Sequence, residues 1–486
     1  MSNYYSQEQT IYRNLLGKIQ MGFYDYKEHF PSAKKIADQF HVSYCPAQRA
    51  LKMLEKDGYI KLYRGSTTAV IKKPYENYLD TSIFKRRIPS LLDLCQSLDL
   101  ISPALCSYNI HYFKKTVPSL SLRKFSSDQH IGRGLYQQFE RSLDLFGNQT
   151  LLSLYYDIGS FSESAFLDIL FSKYGREKAD SFLQNIASEY ADYILKQHED
   201  TVIILQEKLK KLSGKFFAPI KEYLQDTEHE TNCEDQEIFH WEPRKGRTRY
   251  CDIVAIDIVC KINQNIYPVG TRLPNGRLLA DIYHISEITV RRTITLLNKL
   301  GVTKTVNGVG TFVISPGGPD IAYKLKDLTL DGNLRDFLEA LQILAITSGP
   351  VMLASFPHVP QKMLQELFES ASINDEKKSL IHTVSIGLQA VVRHCPFAAI
   401  REIYRKLTLL LLKGSILRLE ESGTEPVAGW SKVSESIRKS CACGDYVQLA
   451  HTFQVLFQDN FSTSKQILLE IGVEGAEKIT DFRHLE

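Results

Sequence analysis

Two widely separated stretches of the sequence each carry a pair of hydrogen-bonding side chains of the kind that bind nucleic acid. The pairs are Gln48 with Arg49 and Arg291 with Arg292. A glutamine amide can make two parallel hydrogen bonds to an adenine edge, and an arginine can do the same to a guanine edge or hold a phosphate. Contacts of this kind require an exposed element that fits the major groove of DNA. The secondary structure around each pair therefore determines whether its side chains can reach the bases.

The two pairs occupy equivalent places in a long internal repeat. Residues 31–70 align without a gap with residues 274–313, at a constant offset of 243 (274 − 31). Matched positions run along the whole alignment: Pro31/Pro274, Ala37/Ala280, Asp38/Asp281, His41/His284, Ser43/Ser286, Arg49/Arg292, Leu54/Leu297, Gly58/Gly301, Lys61/Lys304, Thr68/Thr311 and Val70/Val313. A weaker match continues downstream, where residues 90–102 resemble residues 336–348 at an offset of 246 (336 − 90). A unit of this length is far longer than a solenoid repeat of about 20–50 residues, so the sequence predicts two copies of a two-domain protein.

The second copy has the pattern of a helix-turn-helix followed by a hairpin. A short helix over 277–283 and a second helix over 287–300 flank a three-residue turn, and Ser286 at the end of this turn caps the second helix. A β-prone run follows, and the glycine-bracketed turn 307–310 returns the chain into a second short strand. These elements predict a winged helix.

This segment resembles the winged helix of the GntR family of bacterial regulators, whose usual pattern contains LPSE-R-x-LA, V-S-R-T-T-V-R-x-A-L and G-x-G-T-F-V. The second copy matches it at Leu273, Pro274, Arg277, Leu279, Ala280, Ile285, Ser286, Thr289, Val290, Arg291, Arg292, Leu297, Gly301, Gly308, Gly310, Thr311, Phe312 and Val313. The first copy keeps the scaffold at Pro31, Ser32, Ile36, Ala37, Val42, Ser43, Arg49, Ala50, Leu51, Leu54, Gly58 and Ile60. The resemblance implies a sequence-specific transcription regulator.

The residues that would read bases depart from the family's pattern. Where the family has an arginine after the turn serine, this chain has Tyr44 and Glu287, and where the next helical arginine stands it has Gln48 and Arg291. Pro46 is tolerated because the first N–H groups of a helix lack partners within the helix. Base recognition by the first copy is therefore expected to differ from the family's usual reading.

The resemblance implies that helices Tyr44–Asp57 and Glu287–Leu300 enter adjacent major grooves, while wing tips at 64–67 and 307–310 lie along the backbone or minor groove. Two modules in one chain form an intramolecular pseudo-dimer, which predicts an imperfect palindrome with half-sites roughly 34–36 Å apart. We expect Arg291 and Gln48 to read base edges. The candidate DNA-binding residues are Lys34, Lys35, Ser43, Tyr44, Gln48, Arg49, Arg64, Arg277, Ser286, Glu287, Thr289, Arg291, Arg292, Asn307, Gly308 and Gly310. Those expected mostly to hold phosphates are Lys34, Lys35, Arg49, Arg277 and Arg292.

Length and composition agree with several domains in a reducing compartment. A chain of 486 residues exceeds what one hydrophobic core holds, and a net charge of +3 permits nucleic-acid binding without arguing for it. Nine cysteines without a repeated metal-ligand spacing predict thiols. The start lacks a signal pattern, and the longest apolar stretch, 407–412, is far below the roughly 18 residues of a membrane span, so we expect a cytoplasmic protein.

The predicted fold class is mostly α, with two winged helices of three helices and a β-hairpin each, alternating with two helical bundles. Polar or turn-forming joints lie at 72–85, 226–247 and 315–320. The predicted domains are winged helix 1 at 1–75, bundle 1 at 86–225, winged helix 2 at 245–315, and bundle 2 at 321–486, which is an effector-binding or dimerisation domain.

The bundles resemble the all-helical effector-binding branch of the same family more weakly. That branch commonly holds a metal with a D-x-x-F-H segment, but here Tyr136 and Glu140 fall at the ligand positions, and Gly387 replaces the histidine in the second copy. We predict no metal and no cofactor. Three histidines, His382, His394 and His451, could line a pocket, and three arginines, Arg335, Arg393 and Arg401, could bind a carboxylate effector. The pair Cys441 and Cys443 could bind a soft metal or sense the redox state. The sequence leaves open a small-molecule effector and a homodimer.

Two rival functions follow from the same residues. An aminotransferase-like enzyme fused to a winged helix would need over about 300 residues of alternating strand and helix, which neither helical segment has, so we predict no catalysis and no catalytic residue. The second rival is a protein-interaction or scaffold protein built from degenerate winged helices.

Overall fold

A computed structural model describes residues 7–20, 23–24, 26–40, 42–63, 68–71, 78–113, 131–195, 201–230, 236–243, 250–263, 266–314, 331–414 and 429–481. Within these ranges the fold class is the predicted one. The chain is mostly helical, and two winged helices, each with one short antiparallel hairpin, alternate with two sets of long helices.

The first winged helix is built from three helices and a short hairpin. Its elements are α1 (Gln7–Gln20), α2 (Ala33–Phe40), α3 (Tyr44–Lys56), β1 (Ile60–Lys61) and β2 (Ala69–Val70). Helix α3 buries a stripe with three- and four-residue spacing, namely Ala47, Ala50, Leu51 and Leu54, against α1 and α2. This packing turns the opposite side of α3 toward solvent.

The second winged helix has the same elements, and its hairpin is longer. They are α10 (Tyr250–Asn263), α11 (Gly276–Tyr283), α12 (Glu287–Leu300), β3 (Thr303–Val306) and β4 (Gly310–Val313). The Ser286 hydroxyl accepts a hydrogen bond from the N–H of Thr289 at 3.2 Å, so the predicted cap of α12 is confirmed. Helix α12 ends at Gly301, whose φ of 74° is in the left-handed region that glycine adopts readily.

The repeat extends to individual backbone hydrogen bonds. The bond from Phe30 N–H to Thr68 C=O has its counterpart from Leu273 to Thr311, and the offset is again 243 (273 − 30 and 311 − 68). Further pairs keep the same offset: Lys27 to Val70 with Gly270 to Val313, Val42 to Ala37 with Ile285 to Ala280, and Tyr59 to Leu54 with Val302 to Leu297. The two segments are therefore the same fold, as the alignment predicted.

The remaining α-helices that the structure describes form two sets of six. The first set is α4 (Ser82–Tyr112), α5 (Ile131–Asp144), α6 (Gln149–Ser162), α7 (Ala165–Tyr174), α8 (Arg176–Leu195) and α9 (Val202–Glu230). The second set is α13 (Asp331–Ser355), α14 (Gln361–Ser370), α15 (Glu376–His394), α16 (Ala398–Leu411), α17 (Trp430–Cys443) and α18 (Tyr446–Ile471). Both sets contribute to one continuous hydrophobic core, in which α4 packs against α13 and α16.

Two acidic side chains join the sets in a reciprocal way. Asp93 on α4 accepts hydrogen bonds from the N–H groups of Ala398 and Ala399 at 2.6 and 2.7 Å, and so caps α16. Glu339 on α13, which lies 246 residues after Asp93 (339 − 93), accepts from the N–H of Thr150 at 2.9 Å and caps α6. Exchange of the same contact in both directions is the signature of a twofold interface, here within one chain.

The second joint differs from a polar linker. The sequence predicted a joint over 226–247, but α9 continues to its end at position 230 and residues 236–243 pack on the first helical set. Phe239 and Trp241 are buried there because two large aromatic side chains gain more from leaving water than the polar neighbours lose. The joint at 315–320 lies outside the described residues.

Among the described helices, one, Leu334–His358, is long and apolar enough to cross a membrane, but 78% of its most apolar stretch is buried inside the protein. Helix α13 is thus the central helix of the second set. No disulfide joins the cysteines whose side chains the structure describes: Cys45, Cys95, Cys106, Cys251, Cys395, Cys441 and Cys443.

Candidate nucleic-acid interface

The second recognition helix, α12, presents a polar and basic side to solvent. Its buried side consists of Val290, Thr293, Leu296, Leu297 and Leu300. Glu287, Arg291 and Arg292 are exposed on the other side, together with Ile288, of which 63% is accessible. The amphipathic pattern therefore places the predicted reading residues where a DNA groove could reach them.

The arginines of this surface are available for a ligand. Arg277 on α11 and Arg291 and Arg292 on α12 are all exposed. In the part of the chain that the structure describes, no salt bridge ties any of the three to a carboxylate. The surface also carries a negative charge at Glu287, one residue after the capping Ser286.

Ser286 and Thr289 already serve the helix itself. Their hydroxyl oxygens lie 2.9 Å apart, and Ser286 also accepts from the N–H of Thr289. Both were predicted to contact DNA, and the structure gives each of them a second role in starting α12 at the correct residue.

The wing is braced against the recognition helix. Asn298 donates to the hydroxyl of Thr305 at 2.8 Å and accepts from the hydroxyl of Thr303 at 2.7 Å. In the first copy the equivalent residue, Glu55 (298 − 243), accepts from the N–H of Leu62 at 2.8 Å. The equivalent positions Asn298 and Glu55 thus both bind the wing, Asn298 through threonine hydroxyls and Glu55 through a backbone N–H.

The wing tip of the second copy is exposed and depends on glycine. Asn307 and Gly308 are exposed, and Gly308 has a φ of 76°, in the left-handed region. Gly310 has a φ of 147°, and a Cβ atom there would lie 2.4 Å from the Nε atom of Arg272. Glycine at this position therefore lets the Arg272 side chain lie across the wing.

Sequence reasoning missed two basic residues of this surface. Arg272 lies beside the wing and forms a β-bridge with Phe312, and Lys304 is exposed on β3. The repeat carried a signal for both: Lys304 aligns with Lys61, and Arg272 aligns with His29, which makes the equivalent bridge with Ala69. The second wing is consequently more basic than its motif indicated.

In the first copy the predicted residues are also exposed. Lys34 and Lys35 lie on α2, and Tyr44 and Gln48 lie on α3, with 53% of Tyr44 accessible. Ser43 precedes α3 without a side-chain hydrogen bond to it, unlike Ser286. Arg64, at the predicted tip of the first wing, lies outside the described residues.

Arg49 differs from its counterpart Arg292 in having an acidic partner. Its guanidinium lies 3.2 Å from the carboxylate of Glu8 on α1, although 67% of the Arg49 side chain is accessible. A phosphate would have to compete with this carboxylate. The ion pair therefore lowers the contribution expected from Arg49 to phosphate binding.

We expect Arg292→Ala to reduce the salt dependence of DNA binding more than Arg49→Ala does. Loss of one phosphate contact lowers the slope of log K against log salt by about 0.9 in B-DNA. The change in slope should be smaller for Arg49, because Glu8 already pairs with it. The measurement is fluorescence anisotropy on one duplex between low and high salt. Glu8→Gln is the matched control, since it should steepen the slope of the otherwise unchanged chain. Equal slopes for both alanine variants would contradict the expectation.

The residues compared with a metal site have other partners. Glu140 lies 2.8 Å from the Lys18 ammonium and accepts from the hydroxyl of Tyr156, while Tyr136 lines a cavity described below. Gly387 has no donor atom. Among the described residues, no group of three or more His, Cys, Asp or Glu side chains is placed to hold a metal ion.

The comparison with known families coincides with this geometry. Residues 7–70 and 252–313 each match the family model described as bacterial regulatory proteins, gntR family. The chain carries two GntR-family domains. The matched segments coincide with the two winged helices, so the tandem arrangement that the motifs predicted is confirmed, and with it the general role of a transcription regulator.

Solved structures of GntR regulators were also found, at low similarity. Streptococcus agalactiae GntR is 16% identical, with 44% of this chain and 99% of that one covered, at a TM-score of 0.20. E. coli McbR/YncC is 16% identical, with 45% and 99% covered, at a TM-score of 0.21. A GntR family member from Pseudomonas syringae pv. tomato is 14% identical, with 46% and 89% covered, at a TM-score of 0.20. The assignment of the two domains to the GntR family therefore depends on the match to the family model and not on these solved structures. No curated protein matches the chain.

Proposed function

We propose that this chain is a cytoplasmic, non-catalytic GntR-type regulator in which two winged helices of one polypeptide read a two-part DNA operator. The supporting observation is that the solvent-facing sides of α3 and α12, which carry the residues predicted to read bases, are exposed in both copies. Gln48 on α3 and Arg291 on α12 occupy the same helical position (291 − 48 = 243), and both are exposed.

The reciprocal caps support an intramolecular pairing of the two halves. Asp93 and Glu339 bind across the boundary between the helical sets, as equivalent residues do in a symmetric dimer. A regulator that usually needs two chains would thereby hold both readers on one chain. The second half-site then requires no second copy of the protein.

The proposal extends to a small-molecule effector in the helical part. A cavity in the first helical set supports this extension. Neither His382, His394 and His451 nor Arg335, Arg393 and Arg401 line that cavity, so the effector site differs from the one that the sequence considered.

The deciding experiment is selection of bound sequences from a random DNA pool by the full chain. We expect enrichment of a site with two halves about 10–10.5 base pairs apart, centre to centre, or a multiple of this spacing. Because the reading residues of the two helices differ, the halves should not be perfect inverted copies. Failure to enrich any sequence, with binding equal for all duplexes, would refute the proposal.

A protein-interaction role has one observation in its favour. Leu278 and Ile282 on α11 and Ile288 on α12 are exposed apolar side chains on the second winged helix. A helix that enters the major groove can place such a side chain against a thymine methyl group, but a partner protein would also cover it. Absence of sequence selection would favour the partner protein.

A further inference from the structure

The first helical set contains a cavity of about 270 Å³ that is lined by residues of all six of its helices, α4 to α9. Its wall is formed mainly by leucine, isoleucine, phenylalanine and tyrosine side chains, including Leu105, Phe139, Leu154, Tyr155 and Phe217. Among the lining residues that the structure describes, there is no lysine, arginine, aspartate, glutamate or histidine.

This lining selects the chemistry of a ligand. An ionised carboxylate or phosphate moved from water into such a site would lose its hydration without gaining a countercharge, so its binding is disfavoured. The described polar side chains of the lining are uncharged, such as the amide of Gln138 and the hydroxyls of Ser142 and Tyr190. The cavity therefore fits an uncharged, mainly apolar molecule that offers a few hydrogen-bonding groups.

The second helical set fills the equivalent space with its own side chains. Helices α9 and α18 start 244 residues apart (446 − 202) and share their pattern of buried positions, so the cavity-lining Leu209 and Ser213 correspond to Phe453 and Phe457. Both phenylalanines are buried, and the Phe453 ring lies where a Cβ atom on Gly387 would be, 2.5 Å from it. At these two positions the second set therefore has buried phenylalanines where the first set has cavity-lining side chains.

The outer wall of the cavity is also the docking surface of the first winged helix. Helix α1 packs closely on α6, since a Cβ atom on Gly17 would lie 2.9 Å from the carbonyl oxygen of Tyr156. Lys18 is buried, pairs with Glu140 on α5 at 2.8 Å, and lies 4.9 Å from the centre of the Tyr156 ring. Glu140 and Tyr156 directly follow the cavity-lining Phe139 and Tyr155 in the sequence.

The second winged helix is held differently. The counterpart of Lys18 is Lys261 (18 + 243), which pairs with Asp257 at 2.9 Å and donates to the Tyr283 hydroxyl at 3.0 Å, inside its own domain. Burial alone would lower the pKa of Lys261, but the hydrogen bonds to Asp257 and Tyr283 raise it. This lysine thus stabilises the winged helix itself and does not connect it to the helical set.

We propose that the cavity of the first helical set binds an uncharged apolar ligand, one per chain, and that the contact of Lys18 with Glu140 and Tyr156 transmits its binding to the first winged helix alone. A ligand that displaces α5 or α6 moves Glu140 or Tyr156. Because both contact the Lys18 ammonium, helix α1 of the first winged helix moves with them. The ligand site stands independently, whereas its effect on DNA rests on the proposed function.

The ligand site is tested with N-phenyl-1-naphthylamine, an uncharged fluorophore, titrated into the full chain. We expect a saturable rise in fluorescence with one fluorophore bound per chain. 1-Decanol should displace the fluorophore, and decanoate should need at least about a tenfold higher concentration because it is charged.

The double variant Leu209→Phe, Ser213→Phe should weaken fluorophore binding by about tenfold or more. Ile203→Phe, which adds a ring on the exposed side of the same helix, is the control and should bind normally. Unchanged binding by the double variant, with circular dichroism of a folded protein, or equal displacement by decanoate would overturn the site.

The transmission is tested with Glu140→Gln, which removes the charge opposite Lys18 and keeps a hydrogen-bond acceptor for Tyr156. We expect saturating fluorophore to change the affinity of the unmodified chain for its selected DNA by about fivefold or more, and this factor to approach one in the variant. Fluorophore affinity itself should stay within about twofold. An unaltered factor in the variant would overturn the transmission. Absence of sequence-selective DNA binding under any condition would refute the proposed function and the transmission together, while the fluorescence titration still decides the ligand site.

Discussion

Replacing Arg291 with alanine is expected to weaken binding to the selected operator by about 10–100-fold and to remove the base preference at one position of one half-site. An arginine that binds a guanine edge through two hydrogen bonds contributes about 1–3 kcal/mol of discrimination. Arg291 suits this role because it is exposed on α12, one turn after the capping Ser286, and no salt bridge holds it in the described part of the chain. The measurement is repeated selection from the random pool, followed by affinity on the selected duplex.

The control for Arg291 is Lys299→Ala, which removes an equal charge from the last turn of the same helix. This variant should weaken binding to selected and scrambled duplexes by the same modest factor and leave the preferred bases unchanged. Gln48→Ala should relax a position in the other half-site, if each copy reads its own half. An Arg291→Ala variant that loses affinity equally for selected and scrambled duplexes would show that this arginine only binds phosphate.

Replacing Glu339 with alanine is expected to destabilise the chain by about 1.5–3 kcal/mol, the range for a hydrogen bond to a charged group. The Glu339 side chain is fully buried and accepts from both the N–H and the hydroxyl of Thr150, which is also fully buried. Without the carboxylate, the N–H of Thr150 in the first turn of α6 loses its acceptor, while Asn148 still caps that helix, and the two helical sets lose a contact between them. Thermal unfolding followed by circular dichroism should show a midpoint lower by several degrees.

Two further variants locate this effect at the boundary between the sets. Asp93→Ala removes the reciprocal cap and should act in the same direction, but less strongly because Asp93 is only partly buried. Glu366→Ala, on the exposed side of α14, should leave the midpoint unchanged. If Glu339→Ala melts like Glu366→Ala, the reciprocal caps do not hold the halves together.

The sequence predicted the winged helices well because their signals are local. The cap by Ser286, the apolar spacing of α12 and the glycines at 301 and 308 all act within a few residues of their own position. The repeat added an independent check, since two copies with one offset must share one fold. The exposure of Gln48 and Arg291 followed from the same helical periodicity.

What the sequence could not predict are contacts between distant residues. The pairing of Arg49 with Glu8 depends on how α1 crosses α3, and neither residue type signals it. The burial of Phe239 and Trp241 in a polar joint likewise depends on the helices that receive them.

The sequence by itself thus determined that this chain holds two copies of a winged helix, each with the residues predicted to read bases on the exposed side of a helix. Only the tertiary structure decided that Asp93 and Glu339 join the halves. It also decided that Leu209 and Ser213 line a cavity in the first helical set, whereas the corresponding Phe453 and Phe457 are buried in the second. The physical reason is that caps and helical spacing are set by neighbours along the chain. A cavity or a cap between helices depends on side chains that meet only after residues a hundred or more positions apart have packed together.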